Sequence, residues 1–207
     1  MGVPEPKRES GRSEILVVAR RLFMSRGYRA VSTRDIADAV GVTQPAIYHH
    51  FGGKEALYVA VMEEELAAIS ARLDAAGRLD GPVVDRLVTA ATVLAERGDH
   101  DLSQMFHDLR QEISESNRQR IGIAFRDAML APLLVMIEAL EREGAINLSA
   151  AGMERPEVAM LLLSNVRMLV DARRGPAGGR NRTHEAIGRL AVGLLLNGVG
   201  TRTTLST

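Results

Sequence analysis

Apolar residues recur every three or four positions along almost the whole chain, which is the spacing of an amphipathic α-helix. No segment alternates apolar and polar residues with the β-branched enrichment that is typical of a strand. The sequence therefore predicts an all-α protein of about nine helices, separated by glycine and proline. We expect helices at 13–26, at two short segments capped by Thr33 and Thr43, and at 54–76, 82–97, 102–113, 117–143, 156–172 and 183–198.

The two ends of the chain and one internal proline shape the expected organisation. Residues 1–12 are polar and contain two prolines, so we expect a flexible arm there, and residues 201–207 should form a tail. Pro132 lies inside the predicted helix at 117–143. Because proline lacks an N–H and clashes with the preceding turn, this helix should kink or break near Ala128.

Composition and charge limit the possible functions. The absence of cysteine excludes a disulfide framework, a thiolate zinc site and a cysteine nucleophile. The N-terminus lacks the apolar stretch of a signal peptide, and no run approaches the ~20 apolar residues of a membrane-spanning helix, so we expect a cytoplasmic protein that does not bind a membrane. Residues 1–60 contain nine Lys and Arg but six Asp and Glu, an excess of positive charge, although the whole chain has no net charge. The excess indicates a polyanionic partner for this part of the chain, or arises by chance.

The most informative segment is STRDIADAVGVTQPAIYHHFGGKEALY, residues 32–58. Thr33 is suited to cap a short helix whose inner face carries Ile36. Gly41 then permits the left-handed backbone of a sharp turn. Thr43 is suited to cap a second short helix. The segment therefore predicts two short helices joined by a glycine turn.

The second short helix divides its side chains between an inner and an outer face. Ile47 and Phe51 lie four residues apart and should face the core with Ala46. The side chains left outside are those of Gln44, Pro45, Tyr48 and His49. Neighbouring His49 and His50 diverge by about 100° around the helix, so they should not share a metal ion. Two helices arranged in this way form a helix-turn-helix, whose second helix enters the major groove of DNA.

The spacing of several motifs resembles the TetR family of bacterial transcriptional regulators. The first predicted helix ends in F-x-x-x-G-Y at residues 23–28, and TRDIADAVGV follows. The second short helix ends in Y-x-x-F, and K-E-x-L begins the next helix at Lys54. The resemblance covers residues 13–60. It implies a three-helix helix-turn-helix domain at 13–53 and a helical bundle for ligand sensing and dimerisation at 54–200.

The resemblance also implies which residues bind the phosphates of operator DNA. Thr33 and Thr43 would bind phosphates while capping their helices. Tyr48 would place its hydroxyl on a phosphate, and Arg34 would reach another. Lys54 would hold the DNA backbone with help from the dipole of its own helix.

Other positions in the motif would lie nearer the bases. Gln44 and His49 would approach base edges, and Pro45 would make an apolar contact. Tyr48 has an alternative interpretation as a packing residue. Gly53 departs from the family pattern, which usually has Ser or Asp at this place to cap the fourth helix, so one side-chain hydrogen bond is lost.

The last two predicted helices carry more apolar surface than one core requires. Two such helices from each protomer would form a four-helix bundle across a two-fold axis, so we expect a homodimer. The alternative is a monomer that buries both helices. Gly188 and Gly193 would allow close helix approach. The expected interface residues are Leu163, Val166, Val170, Ile187, Leu190 and Leu194.

A pocket for a small hydrophobic effector is expected between the middle helices, because methionine adapts to varied apolar shapes. The candidate ligand contacts are Met105, Phe106, His107, Phe125, Met129 and Asn165. The leading hypothesis is a repressor that this ligand releases from its operator. The alternatives are a DNA-binding protein without an effector, and a helical enzyme with a metal near His100 and His107. No catalytic motif is present, so we expect no enzyme activity, cofactor or metal.

Overall fold

The computed structural model describes residues 6–98, 112–174 and 182–199, and over these residues it contains helices and no strand. The prediction of an all-α protein is confirmed. The predicted helix at 102–113 lies almost entirely outside the described residues. The described helices are α1 Pro6–Arg26, α2 Thr33–Val40, α3 Gln44–Phe51, α4 Lys54–Gly77, α5 Val83–Gly98, α6 Glu115–Phe125, α7 Ala131–Arg142, α8 Leu148–Ala151, α9 Arg155–Arg174 and α10 His184–Val199.

α1 begins earlier than the sequence predicted. Its first residue is Pro6 rather than Ser13, so residues 6–12 are helical where we expected a flexible arm. Proline is favoured in the first turn of a helix, because its fixed φ suits the helix and its missing N–H would have had no partner there. The polar residues that follow it include good helix formers, so polarity alone did not indicate disorder.

The helices form two compact units. Among the described residues, one unit contains residues 6–65 and 112–124. The other contains residues 66–98, 125–174 and 182–199. The boundary therefore falls within α4, whereas the predicted domain boundary lay ahead of Lys54. None of the described helices is long and apolar enough to cross a membrane.

The first unit has a core of aromatic side chains between α1 and α4. The rings of Phe23 and Tyr58 meet edge to face at 5.0 Å, and those of Tyr28 and Tyr58 do the same at 5.0 Å. Tyr58 is fully buried. Arg20 of α1 also pairs with the buried Glu65 of α4, with 2.7 Å between Nε and Oε1. These contacts hold the first half of α4 against α1 and the turn that follows α1.

The second unit is built around α5, which packs against α10 and α9. The closest approach is at Gly188 of α10, where a Cβ would lie 2.5 Å from Thr92 Oγ1 and 2.9 Å from Val88 O. Gly188 therefore allows a close helix crossing, as predicted, but the partner is α5 of the same protomer. A Cβ on Gly193 would meet nothing within 4 Å.

A π-helical turn at Arg126–Leu130 interrupts the long segment between α6 and α7. Pro132 follows it in the first turn of α7 and is buried. Because Pro132 has no N–H, the α-helical hydrogen bond to Ala128 cannot form, and the preceding turn widens. The predicted break near Ala128 is therefore present as a π-turn.

Candidate nucleic-acid interface

Ser32, rather than Thr33, caps the N-terminus of α2. Ser32 Oγ accepts a hydrogen bond from Asp35 N at 3.1 Å, and Asp35 Oδ2 accepts one from Ser32 N at 2.7 Å. These bonds form a capping box. The Ser32 hydroxyl also donates to Asp35 Oδ2 at 2.6 Å, and this bond, followed by the one from Ser32 N, lowers the pKa of Asp35. The prediction that Thr33 is the N-cap is wrong, because Thr33 is already the first helical residue and its side chain is only 7% exposed.

One side of α3 packs into the core of the first unit, and the other side is exposed to solvent. Ile47 is fully buried, whereas Tyr48 is 51% exposed and Pro45 and His49 are exposed as well. Gly41 and Gly52 have φ of 82° and 79°, the left-handed backbone that ends α2 and α3. The geometry thus leaves Pro45, Tyr48 and His49 accessible to a macromolecular partner.

The two threonines of the motif have different environments. Thr43 is the N-cap of α3 by its backbone, but its side chain makes no capping hydrogen bond and is exposed. Thr33 is largely buried, and its hydroxyl accepts a hydrogen bond from Gln44 Nε2 at 2.9 Å. Thr43 and Arg34 are therefore exposed where a contact with phosphate is predicted, whereas Thr33 is largely buried and its hydroxyl is bound by Gln44.

Lys54 lies in the first turn of α4, directly after the connection from α3. Its Nζ is 4.1 Å from the centre of the Tyr28 ring, a cation–π contact. Burial, followed by the charges of Glu55 and Glu112, raises the pKa of Tyr28, so the phenol stays neutral. Tyr28 belongs to the F-x-x-x-G-Y motif, but the sequence did not show that it supports Lys54.

Gly53 joins α3 to α4 with φ of 151°, a backbone conformation that L-residues rarely adopt. A Cβ at this position would lie 3.7 Å from Cε1 of Tyr48. Glycine therefore suits the backbone conformation at this position, where the family usually has Ser or Asp. The Tyr48 ring consequently lies next to the connection that leads to Lys54.

Glu55, next to Lys54, makes contacts within the first unit that sequence reasoning missed. Its Oε1 accepts hydrogen bonds from Ser114 N at 3.0 Å, Ser114 Oγ at 2.5 Å and Asn117 Nδ2 at 2.7 Å. The carboxylate lies at the N-terminus of α6, where the helix dipole favours a negative charge. The bonds to Ser114 and Asn117 lower the pKa of Glu55. K-E-x-L contains this glutamate, but its partners lie about sixty residues away in the chain.

Two ion pairs reinforce the same contact within this unit. Arg29 Nε lies 2.7 Å from Glu112 Oε1. Arg120 of α6 makes two contacts with Glu63 of α4, at 2.5 Å and 2.7 Å. These ion pairs join Glu112 to the turn after α1, and α6 to α4, the helix that begins with Lys54.

The predicted ligand residues are only partly described. Met105, Phe106 and His107 lie outside the described residues, as does His100. Met129 is buried, and Phe125 and Asn165 are half-buried. Over the described ranges, no three His, Asp or Glu side chains are grouped as a metal site requires.

A surface groove of about 540 Å³ lies elsewhere in the second unit, between α7 and the start of α9. None of the predicted ligand residues lines it. Glu141 and Arg155 form an ion pair within it, with 3.0 Å between the charged groups. Its lining residues are Glu141, Leu148, Ser149, Gly152, Met153, Glu154, Arg155 and Pro156.

The predicted dimer residues divide into buried and accessible groups. Val166, Val170 and Ile187 are buried within the protomer, so they have no surface left for a second copy. Leu163 and Leu190 are half-buried, and Leu194 is 45% exposed. α9 also presents exposed apolar side chains that were not predicted at the interface, those of Met160, Leu161 and Met168.

Comparisons with known proteins agree with these features. The family described as bacterial regulatory proteins, tetR family, matches residues 15–61. The HTH-type transcriptional repressor Rv1474c of Mycobacterium tuberculosis is 27% identical over an alignment of 174 residues, and the match covers 77% of this chain and 93% of that protein. The HTH-type transcriptional activator FasR of Mycolicibacterium smegmatis is 32% identical over 94 residues. That match covers 45% of this chain and spans less than half of FasR, 43% of its length.

Solved structures share the fold over nearly the whole chain. A bacterial regulatory protein in the tetR family from Rhodococcus RHA1 superposes with a TM-score of 0.71 at 24% identity, covering 93% of this chain and 98% of that one. The regulator FadR from Bacillus subtilis, solved in complex with stearoyl-CoA, gives a TM-score of 0.73 at 18% identity, covering 90% and 98%. At these identities the likeness shows a common fold.

Proposed function

We propose that this chain, which belongs to the tetR family of bacterial regulatory proteins, binds operator DNA as a homodimer and represses transcription until a small apolar molecule releases it. The observation that carries the proposal is α3. Ile47 fixes this helix in the core, while Tyr48 and His49 remain exposed. A helix held in this way can enter the major groove without disturbing the domain that carries it.

The proposed phosphate contacts come from the ends of short elements. Thr43 and Tyr48 of the α3 region offer hydroxyl groups, and Arg34 and Lys54 offer positive charge. Because Lys54 also contacts the Tyr28 ring, its ammonium group has a defined position before DNA binds. Contacts of this kind hold the protein on the duplex but do not select a sequence.

We place the dimer interface on the exposed faces of α9 and α10. Leu194, Met168 and Met160 are large apolar side chains that are left accessible in one protomer. A two-fold pairing of these helices would cover them. Binding of such a dimer to successive major grooves requires its two copies of α3 to lie about one DNA turn, ~34 Å, apart.

The proposed effector is mostly apolar and flexible, with one or two polar atoms. Support comes from the aliphatic and methionine-rich faces of the middle helices, including Met129 and Phe125, and from the lack of an arginine cluster among the residues assigned to the pocket. A FadR of the same fold was solved with stearoyl-CoA, whose acyl chain has this character. Release requires the ligand to prefer the shape that does not bind DNA.

The test begins with selection of bound fragments from random DNA by the purified protein. We expect one palindromic site, and failure to enrich any sequence would contradict the proposal. The protein–DNA complex is then titrated with stearate, stearoyl-CoA and coenzyme A alone. We expect release by stearate and none by coenzyme A, and release by stearoyl-CoA but not by stearate would contradict an effector with only one or two polar atoms. If no apolar compound releases the DNA, the chain is a DNA-binding regulator without such an effector.

Pocket variants test where the effector binds. Met129→Ala and Phe125→Ala should raise the effector concentration for half-release about tenfold, because each removes apolar contact area. Affinity for DNA without effector should change by less than about twofold. Val135→Ala, at an exposed apolar position of α7, is the matched control. Equal effects of all three variants would place the pocket on other residues.

A further inference from the structure

The side chain of Arg12, near the start of α1, lies against the end of α3. Its Cζ is 5.0 Å from the centre of the ring of Phe51, the last residue of α3. Arg12 is exposed. A flexible arm was expected for residues 1–12, so no contact of Arg12 was predicted. The contact places a positive charge of α1 beside the helix that is proposed to enter the major groove.

Arg12 differs from Arg20, which lies farther along the same helix. Arg20 pairs with the buried Glu65, so its charge is used within the domain. Over residues 6–98, 112–174 and 182–199, no acidic side chain pairs with Arg12. Its contact with Phe51 is an attraction between the cation and the ring, which leaves the N–H donors of the guanidinium available to an anion.

Phe51 lies close to the proposed phosphate contacts of the first unit. Two glycines separate it from Lys54, and a Cβ on the second, Gly53, would lie 3.7 Å from Cε1 of Tyr48. Lys54 itself lies over the Tyr28 ring, with 4.1 Å between Nζ and the ring centre. The end of α3 is therefore adjoined by two cations that contact aromatic rings, one from α1 and one from α4.

We propose that Arg12 binds a phosphate of the DNA backbone and that the ring of Phe51 positions its guanidinium for this contact. This inference rests on the proposed DNA-binding function and extends the interface to α1. Paired N–H groups of a guanidinium match two oxygens of a phosphate. The contact adds affinity without selecting a sequence, because the backbone is common to all DNA.

The ring matters because an exposed arginine side chain has several rotatable bonds. Ordering them on binding opposes association. Contact with Phe51 restricts the guanidinium before DNA arrives, so less freedom is lost in the complex. Since Phe51 belongs to α3, the charge is also held in register with that helix.

Substitutions at Arg12 test the phosphate contact. Arg12→Gln should weaken binding to all sequences about tenfold at physiological salt and reduce the salt slope by about two phosphate contacts per dimer. Arg12→Lys keeps the charge and should keep the slope. The control is Arg21→Gln, an exposed arginine on the opposite side of α1, because nine residues span about two and a half helical turns. This variant should bind like the wild type.

A purely structural role of the contact between Arg12 and Phe51 gives a different result. If the contact only held α1 against α3, Arg12→Gln would lower the thermal unfolding temperature and leave the salt slope unchanged. We expect the reverse, an unfolding temperature near that of the wild type with a smaller slope. An unchanged slope overturns the proposal, whatever the stability of the variant.

Uncharged phosphates in the selected operator locate the contact with the wild-type protein. A methylphosphonate replaces each phosphate in turn. We expect one position per half-site to weaken binding by the wild type several-fold and to leave binding by Arg12→Gln unchanged, since that variant already lacks the contact. If every position affects both proteins alike, Arg12 binds no phosphate and the proposal is overturned.

The role of the ring is tested by incorporating 3,4,5-trifluorophenylalanine at position 51. The fluorines largely keep the shape of the ring but draw electron density from its face, which weakens a cation–π contact. We expect a two- to threefold loss of affinity, roughly, in the wild-type background and none in Arg12→Gln. Equal losses in both backgrounds would refute positioning by Phe51.

The outcomes also separate this inference from the proposed function. A wild-type protein that selects no DNA sequence refutes both. A wild-type protein that selects an operator, while Arg12→Gln has the same affinity and salt slope, refutes only the role of Arg12.

Discussion

At the scale of single residues, the candidate interface depends on side chains that support the exposed ones. Tyr28 lies beneath Lys54, and Thr33 holds Gln44. The outward positions of α3 were predictable from helical spacing, because Ile47 marks its inner face. The supporting contacts were not, since each joins residues eleven or more positions apart. A periodic pattern shows which way a side chain points, but it does not show the partner of that side chain.

Lys54 gives a prediction about affinity for DNA. Lys54→Ala should weaken binding to all sequences alike and reduce the salt slope by about two phosphate contacts per dimer, because a positive charge is lost from each protomer. Binding titrations at several salt concentrations measure both effects. The control is Arg78→Ala, an exposed arginine just beyond the end of α4. Equal slopes for Lys54→Ala and the wild type would remove Lys54 from the interface.

Glu55 gives a prediction about stability and pH. The pKa of Glu55 is lowered in the folded protein, so its charged carboxylate stabilises the fold. This stabilisation is fully present above the ordinary glutamate pKa of about 4.3 and is lost as the pH falls through the lowered pKa. Glu55→Gln should therefore lower the free energy of unfolding by about 1 kcal/mol at pH 7. The difference from the wild type should shrink progressively below about pH 4.

Urea unfolding at a series of pH values measures this difference. Glu64→Gln, at an exposed position on the same helix, is the matched control and should unfold like the wild type at neutral pH. A constant gap between Glu55→Gln and the wild type at every pH would show that the charge of Glu55 does not contribute.

At the scale of helices, the sequence predicted which segments are helical better than it predicted where each helix begins and how it is capped. Most described helices lie close to their expected ranges, because helical spacing and the glycines that end the segments are local signals. The start of α1 and the cap of α2 were misjudged by local rules: Pro6 begins a helix and Ser32 precedes Thr33 as cap. Pro132 was informative, because a missing N–H has a necessary consequence for the turn before it.

Gly188 gives a prediction about helix packing. Gly188→Ala should lower the free energy of unfolding by about 1–3 kcal/mol, because the added Cβ would clash with Thr92 and the Val88 carbonyl on α5. Gly122→Ala is the control: a Cβ on this exposed mid-helix glycine meets nothing within 4 Å. That variant should gain up to about 1 kcal/mol from helix propensity. Similar stabilisation by both substitutions would contradict the close crossing of α5 and α10.

At the scale of the whole molecule, the predicted dimer face mixed two kinds of apolar residue. The apolar arc of α9 is wider than packing against one core requires. This width indicates that part of the arc meets another surface, but it does not show which part. Val166, Val170 and Ile187 belong to the core of the protomer, whereas Leu194 remains exposed. The division depends on where α5 packs, and no local pattern in α9 or α10 contains that information.

Leu194 gives a prediction about assembly. Leu194→Glu should yield a folded monomer that no longer binds the operator, because pairing would bury a carboxylate without a partner at a cost of several kcal/mol. Sedimentation at micromolar concentration gives the oligomeric state, and circular dichroism the helix content. Val135→Glu, an exposed apolar position on α7, should remain dimeric.

A third substitution identifies the reason for any loss of the dimer. Leu195→Glu places the charge at a fully buried position of the same helix and should unfold the protomer. A wild-type protein that sediments as a monomer, or a Leu194→Glu variant that remains dimeric, would refute this interface.

The distribution of tyrosines has a spectroscopic consequence. The chain has no tryptophan and three tyrosines, and Tyr28, Tyr48 and Tyr58 all belong to the unit that carries α3. Ultraviolet emission from the unlabelled protein therefore originates in that unit, while circular dichroism records helices of both. Two of the rings lie in the aromatic core and the third is on the exposed side of α3. Emission can thus follow melting of one unit, and contact of Tyr48 with a duplex, without an attached dye.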